Sequence, residues 1–238
     1  MQIYCCFPRL TPAPLYIREG NPTHILTVPA WSLDRGPCVL RQKYYIYLMA
    51  IRTKHELTEN TWFITFTCFK WLPLFEITQS YDLVYQWLKL IDDKYQIKTL
   101  GFVIMPNHVH LLLYLTDDKV NLNTIIGNAK RFMAYDFIKR LQQQQNHSIL
   151  NILASACTEK EKAKGQLHKA FEPSFDAKPV YIHDFLHQKL DYIHNNPVSG
   201  KWNLCNEFTD YAHSCAAFYH LETPHPFVAI TDYRYYWY

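Results

Sequence analysis

Hydrophobic and polar positions along the chain follow two rhythms from about residue 61 onward. Residues 62–69 mix aromatic and β-branched side chains (Trp62, Phe63, Ile64, Thr65, Phe66, Thr67), the composition of a strand, and Pro73 ends the run. Residues 77–93 switch to helical spacing, with Ile77, Tyr81, Val84, Leu88 and Ile91 on one side and Leu83 and Trp87 widening it. Residues 97–104 and 108–115 are two further apolar strands. The connection through Met105, Pro106 and Asn107 is so short that they must form an antiparallel hairpin. Asn121 or Asn123 can cap a helix that runs to about residue 145, with Ile125, Ile126, Ala129, Phe132, Met133, Phe137 and Leu141 apolar.

Beyond that helix the pattern weakens. Residues 147–170 show little periodicity, and 158–165 form a charged stretch expected at the surface. Residues 171–180 read as strand and loop, limited by Pro173 and Pro179. Residues 183–195 carry Phe185, Leu186, Leu190 and Ile193 at helical spacing, and Pro197 closes that helix because the residue before proline disfavours the α region. The order βαββα, then β, then α predicts an α+β fold: a split βαβ antiparallel sheet with helices on one face and a final helix. Residues 1–48 are different. Six prolines interrupt them, and they read as a poorly ordered extension, or as sequence upstream of a true start at Met49. The expected organisation is therefore 1–48 extension, 49–220 folded domain and 221–238 tail.

Composition narrows the picture only modestly. A net charge of +3 is compatible with nucleic acid but shared by many enzymes. The seven cysteines form no CxxC pair, which argues against a structural zinc site. No apolar run is long enough to span a bilayer and no secretory pattern is evident, so a cytoplasmic protein without a membrane partner is expected.

The chemistry lies in two short segments. His108 and His110 alternate on a predicted strand, so both imidazoles leave one face while Val109 points to the other. Two such imidazoles are half of a divalent-metal site, although the same pair can equally be buried histidines bonded to backbone. Tyr192 and Asn196 are four residues apart, hence one turn apart on one helical face. Asn196 can offer a carbonyl oxygen beside the Tyr192 hydroxyl, or merely cap the helix.

Pro106-Asn107-His108-Val109-His110-Leu111-Leu112, followed downstream by residues 189–198 (Lys-Leu-Asp-Tyr-Ile-His-Asn-Asn-Pro-Val), resembles the REP-associated tyrosine transposases, single-tyrosine members of the HUH nucleases. The resemblance spans roughly residues 51–220, and Tyr211 to Ala216 fit it as well. It implies an RRM-like (ferredoxin-like) core. It further implies Mg²⁺ or Mn²⁺ held by His108, His110 and Asn196, with Tyr192 as the nucleophile that cuts and rejoins single-stranded or hairpin DNA through a 5′-phosphotyrosine. Such a protein would act as a monomer or homodimer. Two departures touch expected substrate contacts: residues 170–176 lack a tryptophan usual in relatives, and Ser199-Gly200-Lys201-Trp202 replaces an Ala-Gly stretch.

Candidate DNA contacts are Lys130, Arg131, Lys139 and Arg140 on the long helix, and Lys201 with Trp202 after the last one, the indole suited to stacking on a base. Two rivals remain. His183 and His187, at i and i+4, have zinc-like spacing, but Asp184 stands where a metalloprotease motif needs Glu, and a hydrolase using activated water would not need Tyr192. An inactive RRM-like module would bind nucleic acid without cutting it.

Overall fold

The computed structural model of the protein describes residues 59–117 and 120–237; the expectations for residues 1–48 and Met49 fall outside them. Strand β1 (Thr61–Thr67) is followed by a 3₁₀ turn (Phe69–Trp71), the short helix α1 (Leu74–Ile77) and helix α2 (Tyr81–Tyr95). The hairpin β2 (Lys98–Met105) and β3 (His108–Tyr114) comes next, then the long helix α3 (Leu122–Gln143). Of the two candidate caps for α3 it is Asn121 that acts, its side chain accepting from the Thr124 N–H.

The weakly patterned region holds two helices that periodicity did not reveal. Helix α4 (His147–Ser155) is capped by Asn146, and α5 (Glu159–Ala163) is opened by a reciprocal capping box between Thr158 and Glu161. Strand β4 (Asp176–Pro179), helix α6 (His183–Asn195) and helix α7 (Ala216–Leu221) follow, with 3₁₀ turns at Asn196–Val198, Phe208–Asp210 and Tyr233–Tyr235.

The four strands pair antiparallel in the order β2-β3-β1-β4. That is the split βαβ arrangement, with β3 inserted between β2 and β1. His110 stands opposite Thr65 on one side and Val103 on the other, while His108 stands opposite Thr67 and Met105. Alternation then sends Thr65, Thr67, His108 and His110 to one face and Phe66, Val109 and Leu111 to the other.

Helices α2 and α3 cover the Phe66 face. Phe66 meets Trp87 of α2 edge-on at 6.3 Å and Phe171 at 5.8 Å, and Phe137 of α3 packs on Phe75 at 5.1 Å. The opposite face is not open: α6 lies across it. A Cβ built on Gly101 of β2 would come 3.0 Å from Leu190 Cδ1 and 3.5 Å from Ile193 Cδ1, so the missing side chain lets α6 seat directly on the strands. With both faces covered, the central strands are apolar almost without interruption.

Of residues 221–238, expected as a tail, the described part also packs on the sheet. Thr231 donates its N–H to Thr99 O at 2.9 Å, Tyr236 stacks on Tyr114 at 3.7 Å and Trp237 Nε1 donates to Thr61 Oγ1 at 3.0 Å. The free edge of β2 is covered by the Thr231 bond to Thr99, by the bridge between Ser214 and Val103, and by the N–H of Cys215 donating to Phe102 O at 3.0 Å.

Candidate active site

The His108–His110 pair sits on the α6 face of the sheet, both rings buried, with centroids 4.6 Å apart and planes at 78°. Their tautomers follow from their partners. Asn107 Nδ2 donates to Trp71 O at 3.0 Å, which turns Asn107 Oδ1 toward His108 Nδ1 at 2.6 Å. An amide oxygen only accepts, so His108 carries its proton on Nδ1 and leaves Nε2 with a lone pair. His110 Nδ1 hydrogen-bonds Thr65 Oγ1 at 2.7 Å. With Nδ1 as donor its lone pair also sits on Nε2, a buried atom with no hydrogen-bond partner.

Both rings are held neutral. Burial, reinforced by the nearby Lys201 ammonium, pushes the His108 pKa down to about 4, with the Asn196 amide opposing. Burial, His108 and Lys189 push His110 well below its ordinary value. A neutral imidazole with its second nitrogen tied to an oxygen is the form that binds a metal ion.

Asn196 ends α6. Two features show that its amide is not spent on capping. Ser199 Oγ donates to Asn195 O at 2.5 Å and Asn195 Nδ2 donates to Asp191 O at 3.0 Å, so neighbouring side chains finish the helix. Asn196 itself is buried, its amide lying close enough to His108 to act on that ring, and its Oδ1 has no partner of good hydrogen-bond geometry. A buried carbonyl without a partner costs about 1–3 kcal/mol, a cost that a bound cation would remove.

One turn back on α6, Tyr192 is 48% exposed, its ring edge-on to His110 at 4.9 Å and to Phe63 at 6.2 Å. Lys189 Nζ lies 4.9 Å from the Phe63 centroid and 5.8 Å from that of Tyr192. Beyond the helix, Trp202 lies 6.3 Å from His108, with Lys201 Nζ over its indole at 5.1 Å. Sheet and helix thus bring together His108, His110, Asn196, Tyr192, Lys201 and Trp202. Among the described residues no three His, Cys, Asp or Glu side chains converge as a metal cluster, so two imidazoles and an amide are the available donor set. All three are neutral, and the cationic groups acting on the imidazoles are lysines, which suits an anionic phosphate.

The helix α3 candidates stand elsewhere, on the layer behind the sheet. Lys130 is buried and its Nζ donates to the carbonyls of Glu172, Pro173 and Ser174 at 2.6–3.2 Å. Arg140 pairs with Asp82 at 2.8 Å and donates to Gln79 O. Both side chains are therefore engaged within the fold, away from the His108–His110 face. Arg131 and Lys139 are exposed, Arg131 lying over the Phe132 ring at 4.9 Å. His183 and His187 do stack, at 5.7 Å, but against Trp237 and Tyr233.

Residue patterning missed Thr65, Lys189 and Trp71. Thr65 is revealed only by the β1–β3 register, and Trp71 only by a kink described below.

Solved structures similar to this chain include the following two. A REP-associated tyrosine transposase bound to a REP hairpin aligns with a TM-score of 0.48 and 16% identity, covering 77% of this chain and 94% of that one. A candidate transposase from Deinococcus radiodurans R1 aligns with a TM-score of 0.32 and 15% identity, covering 61% of this chain and 96% of that one. No protein-family model matches the chain, and no curated protein matches it. Among the described residues no helix is long and apolar enough to cross a membrane.

Proposed function

We propose that the protein is a transposase-like, metal-dependent DNA strand transferase that cuts and rejoins single-stranded, hairpin-associated DNA through Tyr192. The observation that carries this reading is the pair of buried, partnerless acceptors, His110 Nε2 and Asn196 Oδ1, in one site with His108 and the half-exposed Tyr192. The spacing and order of the two sequence motifs support the same reading.

His108, His110 and Asn196 would hold the cation. Bound there, Mg²⁺ or Mn²⁺ would supply positive charge to the scissile phosphate and favour the tyrosine phenolate. Neutral donors leave that charge undiminished, at the cost of weak affinity in the absence of DNA. Lys201 and Lys189 add charge that draws the phosphate in.

A free phenol has a pKa of about 10, so Tyr192 is a poor nucleophile unaided. It loses its proton to the solvent that reaches its ring, and its Oη bonds to phosphorus. The bond from phosphorus to the 3′ oxygen breaks, and that oxygen leaves as a 3′-hydroxyl after protonation. Since one phosphodiester replaces another, a strand's 3′-hydroxyl can reverse the step and rejoin DNA without a nucleotide cofactor.

The test is incubation of labelled hairpin DNA from the gene's flanks with the protein and Mn²⁺, resolved on a denaturing gel. A metal-dependent protein–DNA band that Tyr192→Phe abolishes is expected. Cleavage that survives the substitution would indicate activated water, and binding without cleavage a non-catalytic module; either overturns the proposal.

A further inference from the structure

We propose that Trp71 is a base-stacking residue of this site, its indole taking an unpaired nucleobase beside the phosphate that the site engages. The inference rests on the reading of the site as one for single-stranded DNA, and its test does not require cleavage.

The first observation is backbone geometry. Immediately after β1, Lys70 and Trp71 adopt φ of 51° and 59°, two successive non-glycine residues in the left-handed region. Side chains rarely adopt it, and strain of this kind persists only where surrounding contacts over-determine it. Here they do: Trp71 N donates to Cys68 O at 3.0 Å, Trp71 O accepts from Asn107 Nδ2 at 3.0 Å, and Lys70 N donates to Glu172 Oε1 at 2.9 Å.

The second observation is where the kink aims the ring. Trp62 and Trp87 are buried in the core, whereas Trp71 is 54% exposed. Its covered edge rests on His108, with centroids 5.6 Å apart and planes at 69°. A large apolar ring held in water by a strained backbone contributes little to the core.

The third observation is the company it keeps. Trp202 borders the same imidazole and has Lys201 over its ring. Two indoles beside one candidate phosphate site, with a lysine at hand, are the parts of a single-strand binding platform: rings for base faces and a cation for the backbone. Stacking tolerates any base, so Trp71 would govern affinity for unpaired DNA more than sequence choice. The ring also leans on the ligand that Asn107 orients through the Trp71 carbonyl, so a bound base and the metal site share one anchor.

The experiment uses the full chain in EDTA, where no cleavage occurs. Fluorescence anisotropy measures binding of a labelled oligothymidylate of about 15 nucleotides, and of a flanking hairpin with an unpaired tail. Wild type is compared with Trp71→Ala, Trp71→Gly and Trp71→Phe. Loss of one stacking partner weakens binding about ten- to hundredfold, so Ala and Gly should show that loss. Phe should stay within a few-fold of wild type. Trp71→Gly also relieves the backbone, so its melting temperature should equal or exceed that of wild type, which separates lost stacking from lost folding. The dependence of log Kd on log salt should not change, because phosphate contacts are untouched. Ala and Gly variants binding as wild type, or a wild type that ignores unpaired DNA, would overturn the proposal. A Tyr192 adduct formed in Mn²⁺ alongside unaltered binding by the variants would refute stacking while leaving the chemistry intact. Weakened binding without any adduct would do the reverse.

Discussion

Enlarging Gly101 tests how the helix that carries Tyr192 is positioned. Gly101 lies on β2 beneath α6, and a Cβ there would stand 3.0 Å from Leu190 Cδ1, 3.5 Å from Ile193 Cδ1 and 3.6 Å from Cys215 Sγ. The Leu190 methyl is the end of a flexible side chain and can give by a few tenths of an ångström. Gly101→Ala also gains about 0.4–1 kcal/mol from a stiffer unfolded chain. Its net effect on stability should therefore stay within about 1 kcal/mol. Gly101→Val adds two methyls to a space already filled, and overpacking of that kind costs about 1–3 kcal/mol. Leu190 and Ile193 flank Tyr192 on the same helix, so the methyls push α6, and Tyr192 and Asn196 with it, away from His108 and His110. A displacement of about 1 Å at a reacting group can cost roughly a hundredfold in rate. Urea denaturation should show the stability loss, and the rate of covalent adduct formation in Mn²⁺ should fall severalfold for Ala and about a hundredfold for Val. A Val variant with the stability and rate of wild type would refute the claim that Gly101 seats α6.

Three further outcomes follow from individual contacts. Thr65→Val removes the partner of His110 Nδ1; Mn²⁺ affinity by titration calorimetry should drop about 10- to 100-fold with stability changed by about 1 kcal/mol, and unchanged affinity would argue against His110 as a ligand. Lys130→Met strips three carbonyls of their shared donor and should destabilise by about 2–3 kcal/mol while leaving DNA affinity alone; a stable variant with weakened DNA binding would contradict the structural role assigned to Lys130. Burial, then His220, lowers His194 to a pKa of about 4, so between that value and 6.5 the unfolded chain binds more protons. The stabilisation is complete above pH 6.5 and lost as pH falls toward 4, up to about 3 kcal/mol. His194→Gln should flatten the acid limb of a stability–pH curve by about one proton, and an unaltered slope would sink this assignment.

The parts of the fold that the sequence disclosed are those with strong local rules. Met105-Pro106-Asn107 is too short to join anything but antiparallel neighbours, and β2 and β3 form that hairpin. Apolar spacing and Pro197 predict a helix over 183–195, and α6 runs from His183 to Asn195; but Asn196 stays in the right-handed helical region, a 3₁₀ turn over Asn196–Val198 carries the chain through Pro197, and the further helix α7 follows. Strand and helix periods alone put His108 with His110 and Tyr192 with Asn196. What stayed hidden depends on register and packing. Thr65 reaches His110 only because β1 pairs with β3 in one alignment. A helix's sequence does not say which basic side chains bond within the fold, so the bonds of Lys130 to the carbonyls of residues 172–174 and of Arg140 to Asp82 were not legible in it. The kink at Lys70 and Trp71 has no glycine to announce it. Residues 222–237 show no period, since apart from a 3₁₀ turn over Tyr233–Tyr235 they are held by isolated bridges and ring stacks.

The central claim, that Tyr192 becomes covalently joined to DNA, has a direct test in the peptide that carries it. Trypsin should cut after Lys189 and Lys201, releasing residues 190–201, in which Tyr192 is the only tyrosine. After incubation with flanking hairpin DNA and Mn²⁺, then nuclease and trypsin, mass spectrometry should find this peptide heavier by a 5′-linked nucleotide phosphate on Tyr192, and unmodified in the metal-free control. Cleaved DNA with the peptide unmodified, or the phosphate on another residue, would contradict the account.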